Sequence, residues 1–205
     1  DGIRDYKVTG VQTCALPIFL ARQTGLDRLV AVKVLTPEVV EDRQLVTRFQ
    51  RETQSLAAVT SPHLVTAFDA ESHGALHYLV MEYVPGEDLG QVLRREGRLP
   101  VPLACECVRQ ALLGLQTASE AGLVHRDLKP GNLLLSRSPE TGGPVIRVLD
   151  FGLARIRAEV ARRRPSKALS NAIGEELTQD GALLGTPDYM APEQARETRS
   201  EEHTS

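Results

Sequence analysis

Apolar residues along the chain follow two periods, which predict strands and one helix in the first part and mainly helices in the second. Leu29–Leu35, LVAVKVL, is dense in β-branched residues and predicts a mostly buried strand with one lysine inside it. The segment after Pro37 predicts a helix, since one helical face collects residues at spacings of four, three and four: Leu45, Phe49, Glu52 and Leu56. Ser61-Pro62 would end that helix.

The chain continues as two further strands and then becomes mainly helical. Residues 64–70, LVTAFDA, and residues 75–84, ALHYLVMEYV, read as strands joined by the turn SHG. A Pro-Gly pair then breaks the pattern, and residues 102–122 predict a long helix that Gly122 would terminate. The predicted layout is a small β-rich lobe with one helix, a connector near residues 82–87 and a helical lobe.

Composition sets only loose bounds on function. The 205 residues are 41% apolar and 25% charged, which is ordinary for a soluble globular protein. A net charge of −3 argues against nucleic acid as a partner. Because no apolar run reaches about 18 residues, we expect no membrane segment in this sequence. Three cysteines form neither a disulfide framework nor a zinc set, so we expect a reducing cytoplasm and leave open a membrane tether in a longer protein.

Four short motifs carry the chemistry, and they follow one another in a fixed order. LVHRDLKPGNLLL at 123–135 contains H-R-D-L-x-x-x-N; VAVK at 30–33 precedes it, and VLDFGLA at 148–154 and MAPE at 190–193 follow. With these motifs the chain resembles the catalytic domain of eukaryotic-type Ser/Thr protein kinases, particularly those of bacteria. The resemblance implies an α+β, two-lobed kinase-like fold and a phosphotransferase that depends on ATP and Mg²⁺.

The resemblance gives a role to each polar residue of the central motif. Asp127 would orient the acceptor hydroxyl and accept its proton, and Lys129 would stabilise the γ-phosphate as a compact cation. Asn132 and Asp150 carry oxygens of the kind that Mg²⁺ binds, so both are predicted metal ligands. Asp150 would hold the ion that bridges the phosphates.

Lys33 lies inside an apolar strand, where an ammonium without a partner would be costly. The predicted partners are the ATP phosphates and a helix glutamate. Glu41 stands at the start of the helix, where an acid favours the helix dipole. Glu52 shares a face with Phe49 and Leu56, and the RFxRE pattern of the family also selects it, so Glu52 is the predicted partner.

Two features favour serine or threonine of proteins as the acceptor. Lys129 is usually absent from tyrosine-directed members of the family, and Thr186 stands where Ser/Thr kinases carry a threonine that bridges the catalytic aspartate and lysine. Small-molecule phosphotransferases of related fold usually lack the APE element. Protein substrates are therefore expected, with a small-molecule kinase, a pseudokinase that serves as a binding scaffold, and an inactive fragment as the alternatives.

The adenine-binding residues follow from the resemblance alone. Met81 would stand at the back of the pocket, and Glu82 to Val84 would supply backbone hydrogen bonds to the base. Ala31 and Leu134 would pack on the two faces of the base. Each of these positions is equally compatible with an ordinary core residue.

Control of activity is predicted from the segment after the DFG motif. Arg126 is of the type that pairs with a phosphorylated activation loop, and Thr178 is the predicted autophosphorylation site that would dock on it. The insert RIRAEVARRRPSKALSNAIGEE contains a basic cluster, Arg162–Arg164, which we interpret as part of a solvated loop. His125 and Phe151 are expected to have a structural role, in which they link the catalytic loop and the DFG segment to the helix that carries Glu52.

The two ends of the sequence do not fit the family. The DNA ACGTGTGCTCTTCCGATCT can encode Thr13–Ile18 plus one further base, and Arg199–Ser205 can be encoded by a DNA that begins with the reverse complement of that sequence. Both ends therefore resemble translated sequencing-adapter DNA, and raw reads that show genomic sequence through codons 1 to 18 would contradict this hypothesis. We excluded both ends from the fold prediction.

The resulting domain prediction is a kinase fragment that is truncated at both ends. The resemblance runs from about Phe19 to about Thr198. The four predicted units are an adapter-derived segment, a partial N-lobe without a glycine-rich loop, a partial C-lobe and a second adapter-derived segment: 1–18, 19–84, 85–198 and 199–205. We expect this polypeptide to lack the first strand of the family, to expose apolar faces of the helices near 100–121, and to be poorly stable and nearly inactive.

Overall fold

The computed structural model describes the backbone of one N-terminal segment and the full residues of most of the chain up to the DFG motif: 6–12 for the backbone, and 17–35, 40, 42–74, 76–138, 140–151, 189, 191 and 192 in full. These residues form eight strands, three α-helices and one 3₁₀ turn. Among them, no helix is long and apolar enough to cross a membrane.

The first part of the chain forms a five-stranded antiparallel sheet with one helix. Its strands, given in sequence order, are β1 (Tyr6–Gln12), β2 (Ile18–Gln23), β3 (Arg28–Val34), β4 (Ala67–His73) and β5 (Leu76–Glu82). Their spatial order is β1-β2-β3-β5-β4. The helix, α1 (Arg43–Ala57), lies in the sequence between β3 and β4.

Helix α1 confirms the predicted helix and its apolar face. The Asp42 carboxylate caps the helix by accepting hydrogen bonds from the backbone N–H groups of Gln44 and Leu45, at 2.8 and 3.2 Å. The inward face is buried through four residues: Leu45, Phe49, Thr53 and Leu56. Glu52, next to this face, is half-buried.

The second part of the chain begins with a short strand whose first residue is the glycine of the Pro-Gly pair. It contains β6 (Gly86–Asp88), α2 (Leu89–Glu96), α3 (Val101–Glu120), a 3₁₀ turn (Pro130–Asn132), β7 (Leu133–Arg137) and β8 (Pro144–Val148). The three strands pair antiparallel in the order β6-β7-β8. Gly122, at φ 77°, follows the end of α3, as predicted for a helix terminator.

One continuous core joins the two parts. Its buried apolar residues come from α1, β5, α2, α3 and β8, and include Phe49, Leu79, Val92, Ala111 and Val148. A second, smaller cluster lies on the opposite face of the first sheet and contains Ala21, Val30, Val32, Tyr78 and Val80. Side chains alternate along β3, so Val30 and Val32 enter the smaller cluster while Lys33 points to the other face.

The structure differs from our prediction at the N-terminus. We expected no first strand and excluded residues 1–18, but β1 pairs antiparallel with β2 from Tyr6 to Gln12, with an irregularity between Val8 and Gly10. Ile18 itself belongs to β2 and pairs with Lys33 of β3. The physical reason is that β2 offers a free edge, and a neighbouring segment that contains β-branched residues can complete its hydrogen-bond ladder whatever its origin.

The apolar face of α3 is exposed, as we expected for a helix near residues 100–121. Val101, Val108 and Leu112 are 75%, 56% and 57% exposed and follow one another at helical spacing. The opposite face of α3 is buried against β8 and the loop before β4.

Candidate active site

Lys33 is the most deeply buried charge that the structure describes. Its side chain is 0% exposed, and its Nζ lies 2.6 Å from Oδ1 of Asp150, 117 residues further along the chain. A buried ammonium requires a nearby carboxylate, because desolvation without compensation is costly. The ion pair therefore brings β3 and the segment after β8 together.

The sequence predicts Glu52 of α1 as a partner of Lys33, beside the ATP phosphates. Within the described residues the ion pair of Lys33 is with Asp150. Asp150 is 14% exposed and follows β8 directly, so its carboxylate is available to the buried ammonium. The proposed role of Glu52 toward Lys33 stays a prediction.

Asp150 adopts an unusual backbone conformation, with φ 62°. Side chains other than that of glycine rarely occupy this left-handed region, which costs of order 1 kcal/mol. The preceding residue, Leu149, is fixed because its N–H donates to the backbone oxygen of Asn132 at 2.9 Å. The direction of the Asp150 side chain is thus set by the strand before it and by a residue of the 3₁₀ turn.

Asn132 connects the 3₁₀ turn to Asp127. Its Nδ2 donates to the backbone oxygen of Asp127 at 2.6 Å and to Oδ2 of Asp127 at 3.2 Å. Its own N–H donates to the backbone oxygen of Lys129 at 2.9 Å, and the residue is only 5% exposed. Because Nδ2 is directed to Asp127, Oδ1 is left as the oxygen available for a cation.

Lys129 places a second cation near Asp127. Its Nζ lies 3.7 Å from Oδ2 of Asp127, and the two side chains are 27% and 11% exposed. At this distance the lysine is an ion-pair partner rather than a strong hydrogen-bond donor. The structure thus brings together the predicted residues Asp127, Lys129 and Asn132.

His125 connects the catalytic loop to the DFG segment, and its predicted link to the helix that carries Glu52 stays a prediction. Its Nε2 lies 2.6 Å from the backbone oxygen of Leu149, and its Nδ1 lies 3.3 Å from the backbone nitrogen of Asp127. A carbonyl only accepts and an N–H only donates, so the two bonds assign the hydrogen to Nε2 of a neutral ring. The ring also meets Phe151 edge-on, with centroids 4.7 Å apart.

Arg126, between His125 and Asp127, is held in a second left-handed conformation, with φ 66°. The predicted partner of Arg126, Thr178, lies outside the described residues, as do Thr186 and the basic cluster Arg162–Arg164.

The predicted adenine-binding residues lie on β3, on β5 and the segment after it, and on β7. Ala31 pairs with Met81 across the two strands, and Val84 and Leu134 are half-buried. A small apolar cavity lies behind them, lined by Leu56, Val65, Ala67, Leu79, Met81, Val148, Asp150 and Phe151. The assignment of these residues to adenine stays a prediction.

Glu82 has a structural partner that we did not predict. Both of its carboxylate oxygens accept from Nη1 of Arg147 in β8, each at 2.7 Å. Its backbone N–H donates to the backbone oxygen of Thr66 at 2.9 Å. A signal was present in the sequence, because Arg147 interrupts the apolar run VIRVL as Lys33 interrupts VAVKV, and a charge in such a strand needs a partner.

Comparison with known proteins identifies the family that this chain resembles. A profile described as the protein kinase domain matches residues 17–205. The serine/threonine-protein kinase Pkn3 of Myxococcus xanthus is 40% identical over 182 residues, covering 87% of this chain and 31% of that protein. PknB of Mycobacterium tuberculosis is 37% identical over 183 residues, covering 87% of this chain and 26% of that protein.

Solved structures give the same relationship. The crystal structure of the Mycobacterium tuberculosis PknI kinase domain matches with a TM-score of 0.62 and 31% identity, covering 72% of this chain and 60% of that one. The two-lobed kinase fold that the sequence predicted is thereby confirmed. The chain spans about a third or less of the length of the curated relatives that it matches.

Proposed function

This chain belongs to the protein kinase family, and on that premise we propose that it transfers the γ-phosphoryl group of ATP to serine or threonine hydroxyls of proteins. The observation that carries the proposal is the 2.6 Å ion pair between Lys33 and Asp150. It places a buried cation next to a carboxylate that is suited to Mg²⁺, and phosphoryl transfer depends mainly on such positioning and charge neutralisation.

Three residues of the central motif would act at the acceptor side. Asp127 would accept the hydrogen bond of the acceptor hydroxyl and take its proton, since its carboxylate is held by Asn132 and is 11% exposed. Lys129, 3.7 Å from that carboxylate, would hold a phosphate oxygen through its ammonium.

The residues present also fit a magnesium ion. Asp150 offers a carboxylate and Asn132 offers Oδ1, which are hard oxygen ligands of the kind that Mg²⁺ binds together with substrate phosphates. When bound, the metal neutralises charge on the phosphates. Lys33 would hold a phosphate oxygen from the opposite side, with its ammonium kept in place by burial.

The acceptor class rests on sequence and on relatives. Lys129 is present in the catalytic loop, and curated relatives at 36–40% identity are named serine/threonine-protein kinases. Thr186 would bridge Asp127 and Lys129. Phosphorylation of Thr178, followed by docking on Arg126, stays a further prediction, which phosphosite mapping of an active preparation would test.

The test uses the full-length protein that contains this chain and compares its parent form with the Asp127→Asn variant. With radiolabelled ATP, Mg²⁺ and casein as a generic acceptor, we expect phosphoserine and phosphothreonine on casein, and a loss of about 10²–10⁴-fold in rate for Asp127→Asn. Asp69→Asn is the matched control, because Asp69 is an exposed aspartate in β4 away from the site. A thermal shift with Mg·ADP measures nucleotide binding separately.

Each alternative gives a different result in this test. Nucleotide binding without transfer by the parent chain would favour a scaffold protein. Transfer to a small hydroxyl compound but not to casein would favour a small-molecule kinase. Transfer to casein that Asp127→Asn leaves unchanged would contradict the role given to Asp127.

A further inference from the structure

The outer edge of β8 is the starting observation. β8 is the last strand of the second sheet, so its outward backbone groups have no neighbouring strand. An edge of this kind usually faces water or another chain. Here these outward groups are hydrogen-bonded to other parts of the protein. They are the carbonyl of Pro144 and both the N–H and the carbonyl of Ile146 and Val148.

Gln110 of α3 covers the first half of this edge. Its Oε1 accepts from the N–H of Ile146 at 2.8 Å, and its Nε2 donates to the carbonyl of Pro144 at 3.3 Å and to Glu106 at 2.8 Å. The side chain is 7% exposed. One amide thus replaces the donor and the acceptor that a paired strand would supply.

The loop before β4 covers the second half. His63 Nδ1 lies 3.1 Å from the carbonyl of Ile146, which can only accept, so Nδ1 donates. The N–H of Val148 donates to the carbonyl of His63 at 2.8 Å, and the N–H of Val65 donates to the carbonyl of Val148 at 3.2 Å.

This loop reaches β8 because α3 has a glycine beneath it. A Cβ at Gly114 would lie 2.7 Å from the backbone oxygen of His63, closer than real Cβ contacts. The close approach of helix and loop therefore depends on a missing side chain.

The covered edge leads directly to the site. After Val148, Leu149 is held through its N–H by Asn132 and through its carbonyl by His125, and Asp150 comes next. We propose that Gln110 and His63 are positioning residues for Asp150, because they fix the strand that delivers its carboxylate. The part that concerns Mg²⁺ rests on the proposed function.

Two pairs of variants separate this role from general stability. Gln110→Met keeps the length of the side chain and removes both polar groups, and Gln116→Met makes the same change at an exposed position of α3, where the amide donates to Glu120. His63→Leu removes the donor to Ile146, whereas His63→Asn retains a donor at about the same distance from the backbone.

The first measurement is amide hydrogen exchange without nucleotide. The Leu149 N–H donates to Asn132 and is touched by neither substitution. We expect its exchange to become about tenfold faster or more, relative to amides of β3, in Gln110→Met and His63→Leu but in neither control. Acceleration confined to Ile146 would overturn the proposal, because the two residues would then hold only their own contacts.

The second measurement is the Mg²⁺ dependence of the thermal shift with ADP. We expect the half-saturating Mg²⁺ concentration to rise about fivefold or more in Gln110→Met and His63→Leu, with the shift by metal-free ADP unchanged. An unchanged Mg²⁺ dependence would overturn the proposal. If the parent chain binds no nucleotide, the proposed function fails. The positioning role of Gln110 and His63 is then tested by amide hydrogen exchange at Leu149 alone. If Gln110→Met does not fold, the His63 pair decides.

Discussion

Asp150→Asn should destabilise the chain without nucleotide, because it removes the carboxylate that lies 2.6 Å from the buried Lys33 ammonium. Lys33 is 0% exposed and cannot reach water without moving β3. Removing one partner of a buried ion pair costs about 3–5 kcal/mol. For a domain of this size that free energy corresponds to a fall in Tm of about 6–20 °C.

The double variant Lys33→Met/Asp150→Asn is the informative comparison. It removes both charges and fills the space of the lysine with an apolar side chain, so we expect it to lie within about 2 kcal/mol of the parent chain. The double variant should therefore be more stable than Asp150→Asn alone. Such non-additivity is the signature of a direct interaction.

Urea unfolding followed by far-ultraviolet circular dichroism measures these differences, with Asp69→Asn as the exposed control, expected within about 0.5 kcal/mol of the parent. A free-energy loss below about 1 kcal/mol for Asp150→Asn would refute the reasoning. The reasoning would also be wrong if the free-energy losses of the two single variants added up to that of the double variant, because the ammonium would then not depend on this carboxylate.

Two further outcomes follow from α3. Gly114→Ala should cost about 1–2 kcal/mol in urea unfolding, since the new Cβ would meet a backbone oxygen at 2.7 Å and the better helix propensity offsets only part of that; a neutral or stabilising effect would contradict it. The Arg109 guanidinium and a hydrogen bond from Gln110 lower the pKa of Glu106 from 4.5 to about 2. Ionised Glu106 therefore stabilises the fold above pH 4.5, and this contribution is lost as the pH falls toward 2. Glu106→Gln should reduce the change in the free energy of unfolding between pH 4.5 and about 2, and an unchanged pH dependence would be evidence against the ion pair.

Much of the site could be predicted because its residues stand in short motifs with fixed spacing. Asp127, Lys129 and Asn132 fall within six residues, and the loop between them closes through local hydrogen bonds. Lys33 could also be found for a second reason, because it is a charge inside an apolar strand and such a charge needs partners, whereas Asp150 follows from the motif VLDFGLA and the resemblance.

The contacts that the sequence did not predict are those between distant segments. Gln110 stands at an inward position of α3 and was not singled out, because a polar residue in a helix pattern gives no sign of the backbone edge that it covers. The contact between Lys33 and Asp150 depends on how β8 lies relative to β3, which no local pattern encodes. β1 was missed because the origin of a segment does not decide whether it can pair with an open edge.

Arg126 and Asp150 both adopt a left-handed backbone conformation that costs this fold some stability. Glycine would adopt φ 66° or 62° without strain and would relieve of order 1 kcal/mol at each position, but at position 150 it would also remove the carboxylate beside the buried Lys33 ammonium. Both positions carry charged side chains instead. Because the ion pair with Lys33 is worth more than the strain at Asp150, directed evolution for heat resistance should retain this aspartate even when catalysis is not selected.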